Sequence, residues 1–379
     1  MRKPEHATIH ALLDPEKQRR ARQYEKEKRR LGLAGTLLSL LGLLGLYFSG
    51  LSSWASSLFA DAAFFWAFLA YGALFLSVLT VLGLPLNYYS GFVHEHKWGF
   101  SNQTKNTWFW EQAKSFVVSL IFLYVILGIL LWVIDRFPQI WWLIASIILA
   151  TVSVIFATLF PILILPIFNK YIPIEDENLT GTLERILAQG GLKSSGFFQE
   201  DMSRQTKKEN AFLAGLGKTR RVVLGDNLMQ NMNVSEIESI IAHEVGHYRY
   251  RHIWKNILIG TLQQVLAFYI LHNLMLGIFH KFPLSSRENL VLLPLLAILI
   301  GFVSGFLFGP LGQALSRYFE RQADAYALSV CADARPFQTA LAGLADRNLA
   351  NAYPAWWIKL LYYSHPPIGE RLESAEKTA

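Results

Sequence analysis

At residues 243–247 the sequence reads His-Glu-Val-Gly-His. Histidines four apart lie on one face of an α-helix, so the imidazoles of His243 and His247 can reach a single cation. Glu244 is placed to take a proton from a water polarised by that cation. The pattern H-E-x-x-H arises by accident about once in eighty chains of this size and composition. Here it lies in a segment of helical spacing directly ahead of an apolar stretch, which makes accident a poor account of it. The chemistry expected is metal-assisted hydrolysis with one zinc ion per chain. A catalytic zinc takes three protein ligands and keeps a fourth position open, so a third donor is required.

Among the acidic residues downstream, Glu320 and Asp324 in ERQADAYA are one helical turn apart, at the end of the last apolar stretch. A carboxylate there returns to the membrane face that carries His243. Glu320 is therefore the candidate third ligand, and Asp324 the candidate partner that orients a ligand histidine. On spacing alone, a pair of helix-surface carboxylates facing Arg317 and Arg321 competes with that reading. The nearby GLGKT, residues 215–219, does not make a nucleotide site. A phosphate-binding loop needs glycine five residues before its final Gly-Lys, and Phe212 stands there.

These groups must be positioned by a chain built largely for a membrane. Hydrophobic residues make up 53% of the 379 residues and charged residues 17%, against about 25% in soluble domains. Residues 31–60, 62–94, 115–134, 138–169, 256–280 and 289–316 contain no Asp, Glu, Lys or Arg. Each is long enough to cross a bilayer as a helix, so six spans are predicted and a soluble enzyme is excluded. The single cysteine, Cys331, cannot form an internal disulfide.

Residues 1–30 carry ten Lys and Arg, which places the N-terminus in the cytoplasm. All but three of the 35 Lys and Arg (Arg136, Lys281 and Arg287) fall there, in 95–114, in 170–255 or in the tail. An even number of spans puts all four segments on one face. The net charge of +7 thus reflects topology and attraction to anionic lipid. No nucleic-acid module accompanies it, and no nucleic-acid partner is expected.

The chain divides accordingly. A basic segment, 1–30, is expected to form a helix along the membrane surface from residue 14. Four spans follow over 31–169, with a cytoplasmic loop at 95–114. A cytoplasm-facing α+β region occupies 170–255, two further spans 256–316, and the ligand helix and tail 317–379. Within the α+β region, 177–190 predicts a helix stopped by Gly190-Gly191. Residues from 196 predict a strand, and NAFLAGLGKTRRVVLG a hairpin turning at Gly215 to Lys218, with an open edge at 210–214. Residues 235–280 predict one long helix capped by Ser235 and Glu238. Gln263, Gln264, His272 and Asn273 predict interhelical hydrogen bonds or a wet cavity within the fifth span. Gly301, Gly305 and Gly309 predict a close-packing face. His94 and His96, two apart, predict interfacial polar residues rather than a second metal site.

HEVGH followed by Glu320-Arg-Gln-Ala-Asp324-Ala resembles the type I CAAX prenyl endopeptidases, integral-membrane zinc metalloproteases. LPLNYYSGFVHEHKWGFSNQT (84–104), ENAFLAGLGKTRRVVLGDNLM and SHPPIGERL (364–372) match further segments of that family in the same order. The resemblance spans about residues 14–372. It implies a mainly α polytopic membrane bundle with a small α+β protease insert, and His243, His247 and Glu320 as zinc ligands with Glu244 as general base. It implies that Asp324 supports a ligand, that His365 and Arg371 stabilise the oxyanion, and that Asn210 and Ala211 hold substrate backbone. The substrate implied is a peptide or protein with an isoprenylated C-terminus, from which three residues are removed. Without the family, His365-Pro366-Pro367 reads as a plain loop. Eukaryotic members carry one more span ahead of the segment matching DPEKQRRARQYEKEKRR, and its absence here preserves the cytoplasmic placement of the active site. Two alternatives stay open: membrane-protein quality control without a prenyl requirement, and a transporter or scaffold with structural zinc. The 84–104 block favours the first reading over quality control, and Glu244 has no use in a structural site.

Overall fold

The computed structural model describes residues 11–279 and 286–378. Residues 1–10 of the basic segment, and Lys281, lie outside the described residues. The spans are α1 (Pro15–Phe48), α2 (Phe64–Tyr88), α3 (Lys105–Arg136), α4 (Trp141–Leu163) and, after the protease region, α7 (His252–Phe279). A sixth is a bent pair: Leu293–Phe306 and Gly309–Val330 meet at 43°. We label its halves α8 (Leu293–Phe302) and α9 (Gly309–Val330). Among the described residues, five helices can cross a membrane by length and composition, or six with the bent pair counted as one. The spans close into a ring in which α1 touches α2 and α8, α3 touches α2 and α4, and α7 touches α4 and α8. Their outward faces are leucine, isoleucine, phenylalanine and tryptophan left exposed by the protein itself, the surface that lipid covers.

The basic segment is continuous with the first span. Asp14 caps α1 by accepting from the backbone of Glu16 and Lys17, Pro15 occupies its first turn, and the helix runs unbroken from the basic residues into the first span. No stop signal intervenes, so the helix continues, and its polar end packs on the tail. Gln18 donates to Asp346 at 3.1 Å and accepts from the backbone of Ala352 at 3.0 Å.

The protease region holds a four-stranded sheet, with β1 Tyr171–Pro173, β2 Phe197–Glu200, β3 Ala211–Ala214 and β4 Arg221–Gly225. The order is β1-β2-β4-β3, with β2 and β4 parallel and the other pairs antiparallel. The predicted hairpin is β3–β4. Its turn needs glycine at Gly215, whose φ is +88° and where a Cβ would stand 2.4 Å from the carbonyl oxygen of Thr219. β1 had no sequence signal. α5 (Glu177–Gln189) and α6 (Val234–Arg249) pack on the sheet through Leu183, Ile186, Val222, Leu224 and Ile241, all essentially inaccessible. α10 (Arg335–Arg347), α11 (Trp356–Tyr362) and α12 (Ile368–Thr378) complete this body.

Two expectations for the zinc helix are corrected. Its cap is Asn233, which accepts from Glu236 N–H while Glu236 accepts from Asn233 N–H. Ser235 donates to Asn233, and Glu238 pairs with Arg185 at 2.8 Å. The helix is also not continuous. α6 ends at Arg249, and Arg251 takes a left-handed φ of 58° before α7 starts at His252. The glycine stripe is corrected too: a Cβ at Gly301, Gly305 or Gly309 would meet nothing within 4 Å. Of the polar residues in the fifth span, His272 accepts from the Trp141 indole on α4 at 3.1 Å. Asn273 instead donates back along its own helix to Tyr269 at 2.8 Å. Gln263 and Gln264 line a cavity of about 320 Å³ against α8.

Candidate metal centre

α6 carries His243, Glu244 and His247, and it packs directly on α9, which carries Glu320 and Asp324. Gly246 sets how closely the two helices meet. A Cβ there would stand 2.9 Å from Cα and 3.1 Å from the carbonyl oxygen of Ala323. We expect Gly246→Val to force the helices apart, costing about 1–3 kcal/mol as an overpacked core position. Chemical denaturation and metal titration should both register it, and an unchanged metal affinity would count against this spacing role.

The closure brings three donors together. His243 Nε2 and His247 Nε2 are 3.2 Å apart, His243 Nε2 lies 3.2 Å from Glu320 Oε2, and His247 Nε2 lies 3.3 Å from Glu320 Oε1. Ligands at metal bonds of about 2.0–2.1 Å around a tetrahedral cation stand about 3.3 Å from one another. Glu320 Oε2 is buried with no hydrogen-bond partner. A triangle of that size with an orphaned carboxylate oxygen fits a small divalent metal, and no other group of three such donors occurs among the described residues.

Each imidazole is held by its other nitrogen. His243 Nδ1 is 2.8 Å from Asp324 Oδ1, so Nδ1 carries the proton and Nε2 turns its lone pair to the centre. Asp324 in turn accepts from Arg371 Nε at 2.9 Å and Nη2 at 2.6 Å, a buried two-point ion pair. His247 Nδ1 is 3.0 Å from His252 Nδ1, and His252 Nε2 is 3.0 Å from Gln322 Oε1. Gln322 accepts from His252 Nε2–H, so His252 Nδ1 accepts from His247, whose Nε2 is likewise freed for metal. His252 and Gln322 were missed in the sequence. The available signal was a third histidine five residues after the motif.

The centre adjoins a cavity of about 220 Å³ whose wall includes His243, Glu244, Asn210, Ala211 and His365. β3 is an edge strand of the sheet. Gly225 N–H bonds to the carbonyl of Asn210, and antiparallel pairs alternate between bonded and open positions. The N–H and C=O of Ala211 therefore point to the free edge, beside Glu244. The exposed His365 has Nε2 3.3 Å from Glu320 Oε1, and its Nδ1 meets Ser364 Oγ at 2.8 Å. Arg371 is buried and commits two of its N–H groups to Asp324.

Burial pulls the pKa of His243 down, but the hydrogen bonds and charges of Asp324 and Glu320 outweigh it and push the group up to about 9 in the metal-free protein. A ligand imidazole must be free of its Nε2 proton, so below pH 9 binding has to expel one. We expect apparent metal affinity to rise with pH, about ten-fold per unit for each proton released, levelling near pH 9. Calorimetry in buffers of different ionisation enthalpy checks it; heats independent of the buffer near pH 7 would contradict it.

The chain is similar to known proteins along most of its length. Residues 2–170 match the family model of the CAAX prenyl protease N-terminal region with five membrane helices, and residues 173–379 match peptidase family M48. A Bacillus subtilis protein described as the uncharacterized metalloprotease YhfN is 29% identical over 363 residues, covering 94% of this chain and 85% of the relative. CAAX prenyl protease 1 of Saccharomyces cerevisiae is 31% identical over 327 residues, covering 81% and 72%. The crystal structure of S. mikatae Ste24p superposes with a TM-score of 0.82 at 26% identity, covering 96% of this chain and 89% of that one. With the family's membrane region, its peptidase region and its fold all present in one chain, this protein belongs to peptidase family M48 and is a multi-pass membrane metalloendopeptidase of the CAAX prenyl protease type.

Proposed function

We propose that the chain removes the C-terminal tripeptide of isoprenylated proteins at a single zinc ion, on the cytoplasmic side of its membrane. The observation that supports this best is the free backbone edge of Ala211 beside Glu244 and the three-donor triangle. An extended peptide laid on that edge presents a carbonyl to the centre with no rearrangement of the fold. The zinc, held by His243, His247 and Glu320, would supply Lewis acidity, polarising the scissile carbonyl and acidifying water. Glu244 takes the proton of the attacking water and returns it to the leaving amine. His365 donates towards the oxygen on which charge develops. Arg371 acts through Asp324, holding His243 in its binding tautomer, and it also contributes positive charge to the cavity. Asn210 and Ala211 fix the peptide backbone.

The test uses purified protein in bilayer discs and a peptide ending in farnesyl-Cys-a-a-X, beside its unprenylated twin. Cleavage of the farnesylated peptide after Cys, abolished by chelation and restored by zinc, is expected, with the twin cut far more slowly. Equal turnover of the two would overturn the prenyl requirement, and no turnover of either would overturn the reading as a whole.

A further inference from the structure

His365 and Arg371 wall not only the metal-centre cavity but a neighbouring one of about 630 Å³. Its position relative to the edge strand is fixed by Asn348. That side chain accepts from Glu209 N–H at 2.9 Å and donates to Glu209 C=O at 3.0 Å. The bond pair stitches the 348–351 turn, which lines the larger cavity, to the residue just ahead of Asn210. The larger cavity therefore lies off the Asn210 end of β3. A peptide paired antiparallel with β3 runs from the Ala214 end towards Asn210, so its C-terminal residues leave the metal centre in that direction.

The wall they would meet is cationic. α1 contributes Lys28 and Arg29. Arg29 is engaged by Glu25 at 2.7 Å, and Glu25 also accepts from Asn351 at 2.7 Å. Arg371 is engaged by Asp324 at 2.6 Å. Lys28 has no carboxylate within 4.0 Å among the described residues, and its ammonium stands 5.4 Å from the centroid of the Tyr24 ring. Among the described residues, Lys28 thus offers the cavity a positive charge held in no ion pair, on a flexible stem, beyond the end of the substrate edge. Three extended residues past a scissile bond span about 10 Å, so a substrate cut three residues from its end carries its α-carboxylate this way.

We propose that this cavity receives the C-terminal end of the substrate and that Lys28 holds its free α-carboxylate. The proposal deepens the protease reading and rests on it: a substrate ending three residues past the scissile bond brings a carboxylate to Lys28, and one with further chain there does not. The pairing is solvent-exposed, so its expected weight is modest, about five-fold in affinity.

The experiment measures binding rather than turnover. Zinc-loaded full-length Glu244→Gln protein in bilayer discs is titrated with a fluorescent farnesylated peptide made as the free acid and as the C-terminal amide. The acid is expected to bind about five-fold tighter, and less so at high salt. Adding Lys28→Ala should bring the ratio to about one, Lys28→Arg should keep it, and Lys28→Glu should reverse it. Equal affinity for acid and amide, or a preference that survives Lys28→Ala, overturns the assignment. Because the readout is binding, a failure of wild type to cleave either peptide would strike the protease reading alone and leave this ratio to decide the carboxylate site.

Discussion

Glu244→Gln is expected to keep its metal and to lose about 10³-fold in kcat, the weight typical of a general base that also serves as acid. The substitution preserves the shape of the side chain and touches none of the three donors. The amide cannot accept the proton of the attacking water, so the loss falls on the chemical step and KM should stay near the wild-type value. The environment of Glu244 adds a second signature. Burial raises its pKa, while the two neighbouring imidazoles pull it down, and burial prevails in the metal-free protein. The active form is the carboxylate, so activity falls as Glu244 takes up a proton. A bound cation opposes the rise that burial causes, so wild-type kcat/KM should show an acid limb that the residual activity of the variant lacks. Metal analysis with single-turnover cleavage decides it; wild-type turnover by the variant would end the case for Glu244 as base.

Asp324→Ala should show two losses that can be separated. Asp324 holds the Nδ1 proton of His243 at 2.8 Å and accepts two bonds from the buried Arg371. Removing an outer carboxylate from a ligand histidine lowers metal affinity by about 10–100-fold. Stranding a buried guanidinium costs about 3–5 kcal/mol of stability, because its partner is gone and water does not replace it. The double variant Asp324→Ala/Arg371→Met should therefore recover most of the stability and none of the metal affinity. Denaturation with and without metal, beside a zinc competition titration, measures both terms. A double variant no more stable than Asp324→Ala would show that Arg371 is satisfied in some other way.

The ring of spans was legible because lipid demands a long uncharged helix, which composition displays directly. The helices were not equally legible at their ends. N-x-x-E from Asn233 and S-x-x-E from Ser235 overlap within six residues, and both are sound caps. Which one closes depends on where the chain enters from the short helix Asp226–Asn231 before it. The break at Tyr250-Arg251 carries no glycine or proline, so no residue type there marked the left-handed arginine that stops α6. That break has a consequence for the centre. Residues five apart on a continuous helix point about 140° apart, whereas the turn brings His252 Nδ1 within 3.0 Å of His247 Nδ1. The glycines at 301, 305 and 309 failed for a different reason: small residues permit close approach but do not supply the neighbour.

HEVGH was local chemistry. Five residues on one helix are positioned by hydrogen bonds that the helix itself makes, so the sequence by itself determined how His243, Glu244 and His247 stand together, and the hairpin beside them followed from its glycine turn. The third candidate donor, Glu320, stands on another helix and Arg371 on the tail. Their approach to His243 is set by how closely two packed helices can meet at Gly246 and by a buried ion pair. Such contacts join residues far apart in the chain, and no local periodicity encodes them; only the tertiary structure decided them.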